Sequence, residues 1–532
     1  MTEPALLNQS ISDSYDETPY TSNAFMQTAP GHLRAVAQLY GLDTPPLGSA
    51  RILELGCAAG GNLIPFAVAH PEARVVGIDL SPEQIAAGQA IARQLNVQNL
   101  QLKAMSITDI DANFGQFDYI ICHGVFSWVP PFVREAILRV CRENLSPAGV
   151  AYVSYNTYPG WKTSDIVRDA FQLNSFGAQT AAEKLQQAKA MLDLLEHGLA
   201  PNNRMRQALQ ETARSLRQMP DHYLLHEFLE DVNSPCYFLE FVAMIQQAGL
   251  TYLSDTQPEG SFASNYGTAT AAALEPLSMN TTREMREQYL DIAVGRQFRQ
   301  SLLVHCERAG QILERPEANH FIDMTFAAQL AADAARDQSQ PGTRHFRTPS
   351  GITVVSQDAS MIALIELLQQ KWPVPIDFNQ ARDAVASKSG LTGDELEHAT
   401  LLQLVTLLNC GALLYRLEPV DYVCDPSKPR LISGARELLR AASHGSLQIG
   451  YYNLWHQLVN VSDAPAARYV ANLLDGSLTQ QEIRTRLRDA LTSGTVEHPD
   501  GLVLKGARNA DPIAQNLLVR ILAALRTGGL LQ

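Results

Sequence analysis

No apolar run in the chain reaches the roughly 18 residues that a membrane-spanning helix needs. The opening stretch from Met1 to Asp16 is polar and lacks a basic-then-apolar signal pattern. Membrane insertion is therefore not expected, and a cytoplasmic protein is. Cysteine is scarce and scattered: the seven, at 57, 122, 141, 236, 306, 410 and 424, form no CxxC pair and fall at no Cys/His ligand spacing. This argues against structural zinc or any other metal centre and fits core thiols in a reducing compartment. Positive charge is in deficit as well, 41 Lys and Arg against 55 Asp and Glu, for a net charge of −14. Such a surface repels phosphate backbones, so nucleic acid is disfavoured as a partner. At 532 residues and 46% hydrophobic, the chain is too long for one core and should form two to four domains.

Glycine, by contrast, is concentrated where it carries information. Arg51-Ile52-Leu53-Glu54-Leu55 reads as a buried strand, Gly56-Cys57-Ala58-Ala59-Gly60-Gly61-Asn62 as a small-residue turn opening a helix, and Arg74-Val75-Val76-Gly77-Ile78-Asp79 as a second strand ending in a carboxylate. Gly56, Ala58 and Gly60 let a ligand lie against the backbone, and Asp79, followed by Leu80, can accept hydrogen bonds from two ribose hydroxyls. The unit thus suits an adenosine-type cofactor. A dinucleotide fits poorly, because Ala58 stands where the second glycine of G-x-G-x-x-G must admit a pyrophosphate. The spacing from Glu54 to Gly60 instead resembles motif I of class I S-adenosylmethionine-dependent methyltransferases, with Ala58 replacing the middle glycine.

From Arg51 the chain alternates strand and helix, which predicts an α/β, Rossmann-like, doubly wound sheet. Strands are expected at 51–55, 74–79, 100–104, 117–122 and 148–155, with helices at about 61–69, 82–95 and 131–145. The seven strands that the class I resemblance implies are completed by 250–255 and 299–306, giving a methyltransferase domain over about 1–310 with helical insertions at 163–230 and 265–293. The polar stretch 333–347 reads as a linker or exposed loop. Residues 358–418 give helix, short extended piece, two helices and an apolar strand, and 432–532 repeat that rhythm loosely. Both resemble winged-helix modules, expected as a middle domain at 311–425 and a C-terminal domain at 426–532. On an acidic chain such modules are read as docking surfaces rather than DNA binders.

In the class I fold, ligand-facing loops follow the C-terminal strand ends. After the third expected strand come Ser106 and Ile107, at the adenine position but without the usual acidic residue. After the fourth comes His123-Gly124-Val125-Phe126-Ser127-Trp128-Val129-Pro130, and after the fifth Tyr155-Asn156-Thr157-Tyr158-Pro159-Gly160-Trp161. Trp128, Tyr155, Tyr158 and Trp161 can form an aromatic wall for an ammonium, with Tyr158 and Trp161 equally readable as core aromatics that fix the loop around Pro159-Gly160. Asn156 offers a donor and an acceptor, and His123 is read as packing against adenosine, with a base as the other reading. Tyr15 to Tyr20 is expected to close over the cofactor as a lid, Tyr15 and Tyr20 touching it. Enzymes acting on adenine N6 or glutamine amides carry [D/N]-P-P-[Y/F] directly after strand four. Here Val129-Pro130-Pro131-Phe132 comes late and lacks the Asp or Asn.

These segments, together with His222-Tyr223-Leu224-Leu225-His226-Glu227-Phe228-Leu229-Glu230 and Pro235-Cys236-Tyr237-Phe238, resemble bacterial class I methyltransferases with a methyltransferase regulatory domain, a family that includes the rickettsial protein-lysine methyltransferases. The resemblance covers about 1–310. It implies S-adenosylmethionine as cofactor, held by Glu54, Gly56, Cys57, Ala58, Gly60, Asn62, Asp79, Leu80, Ser106, Ile107 and His123, and catalysis by His123, Trp128, Tyr155, Asn156 and Trp161. It also implies a lysine-bearing protein substrate. The competing reading is a small-molecule O- or N-methyltransferase whose added modules serve regulation or make a homodimer.

Overall fold

The computed structural model describes residues 21–531 apart from 231, 334–335, 337–341, 421–424, 426, 443–448, 463, 503 and 505–508. The expected lid from Tyr15 to Tyr20 lies outside the described residues. Five strands, β1 (Arg51–Leu55), β2 (Arg74–Asp79), β3 (Leu100–Ala104), β4 (Phe117–Cys122) and β5 (Leu145–Asn156), are joined by β6 (Leu250–Asp255) and β7 (Phe298–His305) into one sheet of order β3-β2-β1-β4-β5-β7-β6. β1 to β5 pair in parallel, while β7 runs antiparallel to both β5 and β6.

The strands read as nearly continuous apolar runs because both faces are covered. Ile52, Val75, Tyr119, Ile121 and Tyr152 face one core, and Leu53, Leu55, Val76, Ile78, Ile120 and Val153 face the other. Strand order reverses between β1 and β4, which opens a crevice at their C-terminal ends. The helix expected from 61 begins at Ile64, because residues 57–63 are spent on turns closed by Gly60 N to Cys57 O and Leu63 N to Gly60 O. Ser81 caps the helix Pro82–Gln94 as its Ser-Pro-Glu sequence suggests, its Oγ accepting from Gln84 N at 3.2 Å.

The first insertion, the helices Lys162–Asn174, Ala181–Asp193, Arg206–Arg217 and Asp221–Phe228, builds its own core around Phe171, Leu192, Leu209 and Phe228. The second contains the helix Arg283–Val294, pinned to the sheet edge by Arg299 of β7. This fully buried guanidinium donates to Asp291 (2.8 Å), Asp255 (2.9 Å) and Glu287 (2.9 Å) and lies 3.9 Å from the centre of the Phe238 ring.

Beyond the sheet, Thr325–Ala327 pairs antiparallel with Ile376–Asp377 on one side and Leu414–Arg416 on the other, under the helices Ala359–Lys371, Phe378–Ser389 and Gly393–Asn409. The C-terminal part repeats this arrangement in miniature. Arg430 bridges Asp475 and Leu431 bridges Leu531, with the helices Pro465–Leu473, Gln480–Ser493 and Ala510–Thr527 around them. The helix-strand-helix-helix-strand rhythm is thus present twice. The central strand of each unit, however, is supplied from ahead of its helices, and no wing hairpin directly follows the last strand among the described residues.

The stretch expected as a linker ends in a strand, Arg344–Arg347, paired with Thr353–Ser356 and Ala331–Ala332. Its Phe346 is fully buried, which ties it down. Neither added unit is an appendage. Ile52 and Tyr119 of the sheet share a core with Phe326, Leu364 and Leu404, and Ala59, Ile64 and Ile91 share another with Leu438, Val470, Leu487 and Leu518.

Candidate active site and cofactor cradle

The turn after β1 is shaped by two left-handed glycines, Gly56 (φ 76°) and Gly60 (φ 75°), with Ala58 at φ 48° between them. A Cβ on Gly56 would lie 2.5 Å from Val125 Cγ2, so the β1 turn and the loop after β4 approach too closely for any side chain. Asp79 closes this turn: Oδ2 accepts from Ala58 N at 2.8 Å and Oδ1 from Ser81 N at 2.9 Å. Carboxylate oxygens hold further lone pairs that can receive ribose hydroxyls. Leu80 and Ile107 are half-buried beside it. Ser106 is spent locally, its Oγ accepting from Thr108 N at 3.3 Å. Cys57 borders the cradle by its backbone alone, because its thiol points into the core, where a Cβ on Gly77 would meet it at 2.7 Å.

Glu54 is buried, and its Oε1 accepts from Asn62 Nδ2 at 2.8 Å while Oε2 is buried with no hydrogen-bond partner. Burial pushes its pKa up to about 8, against the pull of the Asn62 hydrogen bond. A buried carboxylate with one open oxygen fits a cationic ligand, and this is the observation that S-adenosylmethionine satisfies. Asn62 was expected to touch the cofactor. Instead its amide is committed within the protein, Oδ1 accepting from Phe25 N (3.1 Å), Thr28 Oγ1 (3.0 Å) and His456 Nε2 (2.9 Å), so it acts on Glu54.

His123 lies in the loop after β4, 4.3 Å from the ring of Phe25 between centroids. Ser154, Tyr152 and His123 form a chain that ends with the Tyr152 hydroxyl 2.8 Å from Nδ1. With that hydroxyl donating, the ring proton sits on Nε2. Burial lowers the His123 pKa to about 4, so the ring is neutral above that pH and presents a donor. The ring thus packs against Phe25 beside the cradle, with Nδ1 turned to Tyr152.

The aromatic wall needs a larger correction. Tyr155 is 1% exposed, stacked on Phe241 at 4.0 Å between centroids, with its hydroxyl 3.3 Å from Ser301 Oγ, so it belongs to the core. Tyr158 is already engaged, donating to Asp165 at 2.8 Å and carrying Lys162 Nζ 3.5 Å above its ring. Trp161 is buried against Phe228, and Trp128 stands half-buried and edge-on to it at 6.4 Å. Trp128 is the ring left at the surface of this cluster. Asn156 is buried and donates to Asn233 Oδ1 at 3.2 Å, and Cys236 accepts from Tyr158 N at 3.1 Å. Asn233 was not singled out from sequence; its Nδ2 is buried without a partner, and the only signal was its closeness to the Pro235-Cys236-Tyr237-Phe238 run.

A cleft of about 1120 Å³ runs beside Phe298, whose ring lies edge-on to His123 at 6.3 Å. Gln257, Asn265, Gln300, Asn409, Asn453 and Gln457 line it, along with Asp255, Glu259 and Arg296. It draws on the sheet edge and both added units. Among the described residues there is no group of His, Cys, Asp and Glu able to hold a metal, and no helix long and apolar enough to cross a membrane.

Sheet order, crevice and glycine cradle define a class I S-adenosylmethionine-dependent methyltransferase. The family description "Methyltransferase domain" matches residues 52–149, and "Predicted methyltransferase regulatory domain" matches 220–305. An uncharacterised protein of Rickettsia prowazekii is 41% identical over 238 residues, 44% of this chain and 94% of the relative. A second is 42% identical over 295 residues, and there the match spans about half the relative's length, 52%. The structure of PKMT2 from Rickettsia typhi in complex with AdoHcy superposes with a TM-score of 0.82 at 28% identity, over 96% of this chain and 100% of that one. The chain belongs to the bacterial class I methyltransferases that carry a methyltransferase regulatory domain.

Two expected outcomes test the cradle. Asp79→Ala weakens S-adenosylmethionine binding by about 1.5–3 kcal/mol, the range for hydrogen bonds to a charged group; calorimetry giving wild-type affinity in the folded variant refutes the strand-end assignment. Glu54 supplies a pH signature. Held neutral below about 8, it must ionise to meet a cation, so binding at pH 7 releases a proton and affinity climbs with pH until about 8. In the free protein the sign is opposite, the raised pKa making stability fall as pH rises from the ordinary carboxylate value through about 8. Calorimetry in buffers of different ionisation enthalpy reads the proton directly, and Glu54→Gln should abolish it.

Proposed function

We propose that this methyltransferase acts in the cytoplasm on lysine side chains of a protein substrate. The observation that carries the reading is the cleft beside Phe298. Its side-chain amides offer both donors and acceptors, which suits an extended polypeptide backbone. A pocket for one small metabolite does not need a cleft of about 1120 Å³. The resemblance to rickettsial protein-lysine methyltransferases supports the same substrate class.

When bound, S-adenosylmethionine supplies an electrophilic methyl on a sulfonium. A lysine nitrogen would take that methyl with its lone pair, the electron pair of the broken C–S bond would stay with sulfur, and the nitrogen would give up a proton. Alignment and exclusion of water are what the chain must provide. Phe25, His123 and Phe298 form a cluster of rings beside the cradle, and Trp128, half-buried, is the ring proposed to meet an ammonium. With His123 Nδ1 turned to Tyr152, the amine is expected to lose its proton to solvent and the rate to rise on the alkaline side.

Incubation with tritiated S-adenosylmethionine and lysate of the host organism, followed by separation of protein from metabolites, tests the reading. Label on protein lysine is expected. Label confined to metabolites, or found on protein carboxylates, overturns it while leaving the methyltransferase class intact.

A further inference from the structure

Three features converge on the β1 turn from a distant part of the sequence. Ser22 runs parallel to Ile449 in an isolated bridge, and Ser22 Oγ accepts from Gly61 N at 2.8 Å while Ser22 O accepts from Gly450 N at 2.9 Å. A Cβ on Gly61 would lie 2.2 Å from Ser22 O, so this strand of chain lies flat on the cradle. Ala59, inside the glycine turn, is fully buried in the core that also holds Leu438, Val470 and Leu518.

The segment 453–457 completes the arrangement. Asn453 Oδ1 accepts from Trp455 N (2.9 Å) and Gln457 N (3.0 Å), and Asn453 O accepts from His456 N (3.0 Å), which folds the segment into a tight turn. Trp455 Nε1 donates to Pro373 O at 2.8 Å, and Asn453 Nδ2 to Gly528 O at 3.1 Å, anchoring it to both added units. At its apex His456 adopts φ 58°, a conformation uncommon for a side chain of this size, and reaches Asn62.

An amide oxygen cannot donate, so His456 Nε2 carries the proton of the 2.9 Å contact and Asn62 Oδ1 accepts it. With Phe25 N (3.1 Å) and Thr28 Oγ1 (3.0 Å) also donating to that oxygen, its three donors set the orientation of the amide, and Nδ2 is held toward Glu54 Oε1 at 2.8 Å. Glu54 then keeps Oε2 open. We infer that His456, almost 400 residues from the glycine turn (|i−j| = 394 to Asn62), is a positioning residue for cofactor binding that fixes Glu54 through Asn62. The inference rests on Glu54 lying in the cofactor cradle.

The experiment uses the full chain and measures S-adenosylmethionine affinity by calorimetry, KM and kcat on a labelled substrate, and the denaturation midpoint. His456→Leu keeps bulk and removes the donor; about a tenfold weaker affinity and a matching rise in KM are expected, with kcat at saturation unchanged. His456→Gln, whose Nε2–H can occupy the same place, should restore most of the affinity. In a Glu54→Gln background His456→Leu should add nothing further, because its effect passes through that carboxylate. If the leucine variant does not fold, His456→Ala carries the same cycle. Wild-type affinity in His456→Leu, equal loss in the Gln and Leu variants, or additive losses with Glu54→Gln would each overturn the inference. If Glu54→Gln itself binds cofactor as wild type does, the cradle assignment fails instead, so the two failures are distinguishable.

Discussion

Arg299→Met lowers the unfolding free energy by about 3–5 kcal/mol, the range for breaking a buried ion pair from one side. The guanidinium is the shared partner of Asp255, Glu287 and Asp291, each of which is itself buried. Methionine fills similar volume but leaves these carboxylates facing one another, with Arg296 alone remaining on Asp291. Their mutual repulsion in a low-dielectric site raises their pKa values, so the variant should recover stability as pH falls and they take up protons. Chemical denaturation of the two proteins at pH 5 and pH 8 reads both effects. An undiminished midpoint at pH 8 removes Arg299 from its role as the pin between the helix Arg283–Val294 and the sheet.

Tyr155→Ala should cost a comparable amount, about 3–5 kcal/mol, as a large aromatic is cut out of a packed core. The ring is stacked on Phe241 and lies edge-on to Phe126 at 6.2 Å, so its loss leaves a void that neighbours on two elements cannot fill. Tyr155→Phe, which gives up only the contact to Ser301 Oγ at 3.3 Å, should keep both fold and turnover. A residue of the acceptor wall would behave differently: alanine would lower turnover on substrate with the midpoint unmoved. Thermal denaturation beside a methylation assay separates the two, and a stable but inactive Tyr155→Ala would return Tyr155 to the site.

Tyr155 also shows where sequence reading reaches its limit. The first five strands were legible because their signal is local, a run of apolar residues bounded by Gly, Pro or charge, while the last two were placed from the strand number that the class I resemblance implies; all seven lie within a few residues of their expected bounds. β5 is buried on both faces over Val150–Asn156, so alternation disappears and the face of its last residues is left undetermined. A tyrosine at the end of such a strand can equally line a crevice or fill a core. The glycine turn, Asp79 and the Ser81 cap were legible because turn and cap chemistry depends on a few adjacent residues.

What stayed hidden is long-range. Nothing around Arg299 announces that it will meet carboxylates at 255, 287 and 291, and nothing around His456 points to Asn62. The strand that completes each C-terminal unit comes from ahead of it, at Thr325–Ala327 and at Arg430 and Leu431, so reading those segments in isolation suggested a complete winged module.

The shared core of Ala59 with Leu438, Val470 and Leu518 bears on how the protein comes into being at the ribosome. The sheet strands β1 to β5 have emerged long before residue 449, yet the floor under the glycine turn is not in place until that distant segment has been made and has folded back. Closing so long a chain loop is slow because the entropy is lost before the contacts form. A nascent chain halted anywhere ahead of His456 therefore lacks a segment that lies against the glycine turn. On the inference that His456 positions Glu54, methyl-donor capture is expected late in biosynthesis, once the C-terminal unit has arrived.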